Sequence, residues 1–238
     1  MESRIARELK LRHQPVVVLF TDERPKAAAQ FKEKKWGCVM SMLSASARGI
    51  TAVFDRKTTG CMGGTTGLCL GDGSKGRDLA RFLSAERNGL GYFKTKEVAK
   101  THVGIHPPQD IAEKYVVFKP LSKVDPAKDK PKVVIFLANA DQVSALYVLA
   151  HYDRKGGEAV AVPFGSGCSA ICLLPYLESK KRRPRAILGG MDVSARPWLD
   201  RDALTFAVPF PMFLKMEADV PGSFLERESW VHLKERIQ

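Results

Sequence analysis

Apolar residues form two unbroken runs of strand length, Pro15-Val16-Val17-Val18-Leu19-Phe20 and, after Lys132, Val133-Val134-Ile135-Phe136-Leu137. Neither run alternates with polar residues, so both predict strands covered on both faces. The first stops at Thr21-Asp22-Glu23-Arg24-Pro25, a turn signal. Shorter runs at Ile50–Phe54, Tyr115–Phe118, Ala159–Val162, Arg185–Leu188 and Ala203–Val208 predict further strands. Helical spacing appears at residues 3–12 through Ile5 and Leu9, and again over Cys38–Ala47, with Gly49 as its stop. Residues 76–87 place Leu79, Phe82 and Leu83 on one helical face. Asn139 or Asp141 caps a helix carrying Val143, Leu146, Tyr147 and Ala150, and Ser169–Leu174 reads as helical. Between Tyr92 and Asp110 the pattern predicts an exposed loop, and the tail from Phe210 mixes helical spacing with Pro211 and Pro221.

Alternating strands and helices predict an α/β fold, a layered mixed sheet covered by helices. The expected organisation is one compact domain over 1–238, built from two pseudo-repeated halves of about 1–121 and 132–238. The polar, proline-flanked stretch Ser122–Pro131 lies between them, as a linker or as a loop within the domain. The halves echo one another: Val16–Phe20 matches Val133–Leu137, Gly37-Cys38 matches Gly167-Cys168, and Ile50–Phe54 matches Ala186–Leu188. The echo makes Cys38 and Cys168 equivalent positions.

Composition narrows the class. A hydrophobic share of 45% and a charged share of 27% describe an ordinary soluble protein. No apolar run approaches the roughly 20 residues of a membrane span. The charged start Met1-Glu2-Ser3-Arg4 is not a signal peptide, so a cytoplasmic location and no membrane partner are expected. Cys38, Cys61, Cys69, Cys168 and Cys172 are then reduced thiols or ligands rather than disulfides. The net charge is +12, concentrated in Lys32-Glu33-Lys34-Lys35 and Lys180-Lys181-Arg182-Arg183-Pro184-Arg185. Neither zinc-finger spacing nor an RNA-binding aromatic signature accompanies it. Nucleic acid is therefore not the expected partner, and solvated faces account for the runs.

The densest local signal is Gly60-Cys61-Met62-Gly63-Gly64-Thr65-Thr66-Gly67-Leu68-Cys69-Leu70-Gly71. Interior glycines cost a helix about 1 kcal/mol each, so the stretch predicts positive φ or close backbone approach. Several features then occur in order: Pro15–Phe20, Cys38-Val39-Met40, Cys61-Met62-Gly63-Gly64, Val134–Asn139 with Gln142, Gly165-Ser166-Gly167-Cys168-Ser169-Ala170, and a late strand ending at Pro209. Together they resemble the bacterial and archaeal family called domain of unknown function 169 (DUF169). The resemblance covers most of the chain and implies no activity. It implies that Cys38, Cys61 and Cys168 belong to one pattern, with Cys69 and Cys172 outside it.

Two function classes follow. In the first, Cys38, Cys61 and Cys168 serve a redox role or hold a metal, as ligands to an iron–sulfur cluster or to zinc. Helix N-termini at Cys38 and Cys168 favour the thiolate that such chemistry needs. No Cys-x-x-Cys supports this locally. In the second, the glycine loops form a cofactor-free module for an anionic small molecule. Its residues are Gly63, Gly64, Ser166 and Gly167, with Asp192 and Arg196 beyond a strand end. Tight turns and small packed cysteines are the plain alternatives. A nucleophilic Ser166 or Cys168 lacks the spacing of the Gly-x-Ser-x-Gly elbow. His102 and His106 read as solvated loop residues, because Gly104 and Pro107 oppose a helix there. His151 follows an apolar helix, and His13 and His232 read as peripheral.

Overall fold

The structure, a computed structural model, describes residues 1–74 and 76–237. Among these, seven strands form one sheet: β1 (Val16–Thr21), β2 (Ala52–Phe54), β3 (Tyr115–Pro120), β4 (Pro131–Ala138), β5 (Val160–Ala161), β6 (Ala186–Gly189) and β7 (Leu204–Pro209). Their order is β2-β3-β1-β4-β7-β6-β5, and every neighbouring pair is antiparallel except β5 and β6. The helices are α1 (Arg4–Glu8), α2 (Val39–Ala47), α3 (Met62–Gly67), α4 (Leu79–Leu83), α5 (Lys96–Ile105), α6 (Ala140–His151), α7 (Leu174–Ser179), α8 (Phe210–Asp219) and α9 (Glu228–Glu235). This is the layered α/β fold that the alternation predicts.

The two apolar runs are the central strands β1 and β4. They pair with each other through Val16 opposite Ile135 and Val17 opposite Val134. Alternate side chains enter different cores. Val17, Leu19, Val134 and Phe136 pack with Ile5 of α1, Leu146 of α6, Phe213 of α8 and Trp230 of α9. Val16, Val18, Val133 and Ile135 pack with Met40 and Leu43 of α2, and with Ile171 and Cys172. Covering on both faces is why neither run alternates.

Local caps fix several helices. The Asn139 side chain accepts from Gln142 N, and Gln142 Oε1 accepts from Asn139 N, closing a capping box at α6. Gln142 then donates from Nε2 to the carbonyls of Leu9 and Lys10, anchoring α6 to the end of the N-terminal helix. Gly49, at φ +108°, follows α2 in a left-handed conformation suited to glycine.

Three expectations need correction. Residues 92–110 are not simply a loop, because α5 occupies Lys96–Ile105 with Thr95 as its N-cap. His102 therefore sits on a helix and His106 caps its end. The helix expected over 76–87 shrinks to Leu79–Leu83, capped by Asp78, and Phe82 is exposed. The glycine-rich stretch contains a real helix, α3, although its glycines weaken helix propensity.

The Ser122–Pro131 stretch connects β3 to β4 within one sheet. On either side of the β1–β4 junction three strands pair in the same order, while among the described residues α6 and β5 have no counterpart in the first half. β3 pairs with β1 and then with β2, as β7 pairs with β4 and then with β6. Cys38 precedes the helix between β1 and β2, and Cys168 opens the helical segment between β5 and β6.

Phe136 is fully buried at the sheet centre and packs near Phe213, with ring centroids 6.0 Å apart. Phe136→Ala is expected to destabilise the chain by about 3–5 kcal/mol, read as a lower urea midpoint with an unchanged slope.

Candidate functional site

The site lies on the α2 side of the sheet, where segments distant in sequence meet. Cys61 is the N-cap of α3, in an extended conformation, and its Sγ accepts from Gly64 N at 3.2 Å. The Gly63 amide adds a smaller favourable influence on the same sulfur. Cys168 stands at the start of a π-helical turn, Ser169–Leu173, which runs directly into α7. Isolated π turns recur at functional sites.

Two close approaches bring these segments together. At Gly67 an added Cβ would fall 2.5 Å from Cys168 Cβ, so only glycine lets α3 lie against the π turn. Gly60 has φ +78°, and a Cβ there would fall 2.4 Å from the Gly37 carbonyl. Gly37 N donates to Gly60 O at 3.1 Å, tying the Cys38 and Cys61 segments side by side.

The result is a thiol pair. Hydrogen bonding from the neighbouring Cys168 thiol is the main cause lowering the Cys61 pKa to about 6. Burial opposes the fall, while the Gly64 and Gly63 amides add to it. Cys168 moves the other way: its bond to Cys61 and its burial push it well above the usual thiol range. Cys38 is half-buried, and burial raises its pKa against the Met40 and Ser41 amides. Its charge is felt by Cys168, and it feels that of Cys61. The three thiols thus share a neighbourhood. Even so, among the described residues no group of three or more His, Cys, Asp or Glu side chains is gathered closely enough to hold a metal ion.

The groups expected to bind an anion are placed differently. Asp192 Oδ2 accepts from Gly167 N at 2.9 Å, and its Oδ1 accepts from Tyr92 Oη at 3.1 Å and Ser194 Oγ at 2.8 Å. Ser166 Oγ lies 2.9 Å from Ser169 Oγ and accepts from Ser169 N. Arg196 donates to the carbonyls of Gly190, Ala203, Asp200 and Arg201, bracing the loop after β6. The amides of Gly64 and Gly167 are likewise engaged within the protein. Two clefts of ≈ 230 and ≈ 360 Å³ border α1, and neither is lined by a cysteine or by these glycines.

The remaining polar candidates have structural partners. His151 bridges Tyr147 O and Ala159 N, and His13 Nε2 lies 2.6 Å from Asp200 Oδ2. His102 packs among Phe93 and Phe164. Within the basic run, Lys181 and Arg185 both pair with the buried Glu178.

A family model for DUF169, described as uncharacterised ArCR, matches residues 4–219. The chain belongs to the DUF169 family. No curated protein and no solved structure matches it. The matched span of this DUF169 chain contains the whole thiol site. Tyr92 and Gly67 have no distinctive local signal, since each acquires its place through a partner far along the chain.

Cys61 alkylation by iodoacetamide should follow its thiolate fraction, half-maximal near pH 6. Cys168→Ala removes the donor and should move that midpoint upward. Gly67→Val should do the same while lowering thermal stability, because the side chain would push α3 away from Cys168.

Proposed function

We propose that this DUF169 protein carries out thiol–disulfide redox chemistry, with Cys61 as the attacking thiol and Cys168 as the resolving thiol. The observation that carries this reading is the close approach of α3 to the π turn at Gly67, which brings the half-buried, amide-supported Cys61 to the side of the buried Cys168. A low-pKa, accessible thiol beside a resolving cysteine is the arrangement such exchange requires.

The Cys61 thiolate attacks one sulfur of a substrate disulfide, forming a mixed disulfide and releasing one substrate thiolate. Cys168 loses its proton to that thiolate and attacks Cys61 Sγ. The second substrate thiolate leaves, taking a proton from water. The substrate disulfide is reduced to two thiols, and the protein dithiol is oxidised to a disulfide. A reducing compartment, the cytoplasm, suits a resting dithiol.

A second reading retains zinc or an iron–sulfur cluster on Cys38, Cys61 and Cys168. Its support is the third thiol, which dithiol exchange does not need. The side chains would have to draw closer than they lie. Absorption spectra and metal analysis of anaerobically purified protein test it; a colourless, metal-free protein removes it. An anion-binding module has less support, since the Gly64 and Gly167 amides already have partners.

Reduced protein incubated with glutathione disulfide should acquire a Cys61–Cys168 cross-link, identified by peptide mapping. Cys168→Ser should stop at a mixed disulfide on Cys61, and Cys61→Ser should form neither. A Cys61 that stays reduced, or that pairs elsewhere, would overturn the reading.

A further inference from the structure

Behind the Cys61–Cys168 pair lies another. Cys69 follows the C-cap residue of α3, and Cys172 lies in the π turn, one helical turn beyond Cys168. Both are fully buried in the same core cluster, and Cys69 is the neighbour that most raises the Cys172 pKa. The short helix α3 is thus flanked by Cys61 and Cys69, and the facing π turn carries Cys168 and Cys172. Each cysteine on one element meets a cysteine on the other. Cys172 also feels the charge of Cys168, so four sulfurs run inward from a half-buried Cys61 to a fully buried Cys69.

Cys69 is held there against its backbone preference. Its φ is +60°, a left-handed conformation that glycine or asparagine usually fills after a helix. The position is fixed by Ile111 N, which donates to Cys69 O at 3.0 Å. A non-glycine residue in this region costs about 1–3 kcal/mol and persists where the surroundings require it. Glycine would relieve the conformation and forfeit the sulfur.

We propose that Cys69 and Cys172 form an inner dithiol that takes oxidising equivalents from the outer pair by internal thiol–disulfide exchange. This rests on the dithiol reading of Cys61 and Cys168. Once the outer disulfide exists, the Cys172 thiolate attacks Cys168 Sγ, forming Cys168–Cys172 and releasing the Cys61 thiolate. Cys69 then attacks Cys172 Sγ, forming Cys69–Cys172 and releasing Cys168, which takes up the proton Cys69 loses. The proton lost by Cys172 passes to water, replacing the one that the second substrate thiolate took from it. No electrons leave the protein in these two steps. The outer pair returns to its reduced state and accepts a second substrate disulfide, so the chain holds two disulfides at completion, each a two-electron couple. Because Cys69 and Cys172 have no exposed surface, the outer pair is their route to oxidant.

The test is a quenched time course with excess glutathione disulfide, using Cys38→Ser protein so that the third thiol does not contribute. Peptide mapping after alkylation reads each pair. The expected result is Cys61–Cys168 first and Cys69–Cys172 later, with about four substrate thiols released per chain against about two for added Cys172→Ala. Cys168→Ala, which leaves Cys69 and Cys172 in place, should keep the inner pair reduced. Inner oxidation at an unchanged rate in that variant would show direct access and overturn the relay. So would a formed outer disulfide with a persistently reduced inner pair, and in that case the outer dithiol reading survives. If Cys61–Cys168 never forms, both readings fall. The order of events in the Cys38→Ser parent decides the matter even if Cys168→Ala does not fold.

Discussion

The antiparallel pairing of β1 with β4 is the constraint on which the remaining structure depends. Both strands are buried on both faces, so each must sit mid-sheet with helices above and below. That placement joins the chain before the Ser122–Pro131 stretch to the chain after it along one ladder. Everything on the α2 side inherits its position from this junction. Cys38, Cys61 and Cys69 arrive from one side, and Cys168 and Cys172 from the other.

At the meeting point, packing and electrostatics act on the same atoms. The missing side chain at Gly67 sets the distance between α3 and the π turn. That distance sets the Cys168 thiol beside Cys61, which draws the Cys61 pKa down and pushes that of Cys168 up. One sulfur becomes the better nucleophile at neutral pH, and the other holds its proton. Glycine in α3 weakens the helix by about 1 kcal/mol per residue and makes the contact possible. A stronger helix with alanine at that position would lose the site.

Where packing is local, the sequence shows it. The two continuous apolar runs announce the central strands, Asn139 with Gln142 announces a capped helix, and Gly49 marks a helix end. Helix α5 is hidden because it is polar and carries Gly104, although Thr95 could have marked its start. Helix α3 is hidden for a different reason: its glycines answer to Cys168, about a hundred residues away. Cys38, Cys61 and Cys168 can be singled out from sequence, but their unequal acidities cannot. Cys69 and Cys172 carry no Cys-x-x-Cys spacing, and their pairing emerges only when α3 lies against the π turn. The glycine loops suggest an anion cradle for the same reason. In sequence their amides look free, whereas in the fold those of Gly64 and Gly167 already serve Cys61 and Asp192.

The contact between Cys61 and Cys168 also bridges the two sides of the β1–β4 junction. A covalent bond there would close a loop of about 100 residues, and in the chain-entropy model such a closure restricts the unfolded state by about 4.7 kcal/mol. That is a large fraction of the 5–15 kcal/mol by which domains typically resist unfolding. Electron transfer at this one spot would therefore alter the mechanical endurance of the whole chain. The oxidised molecule would be clasped across its middle, and the reduced one would rely on β1 and β4 alone.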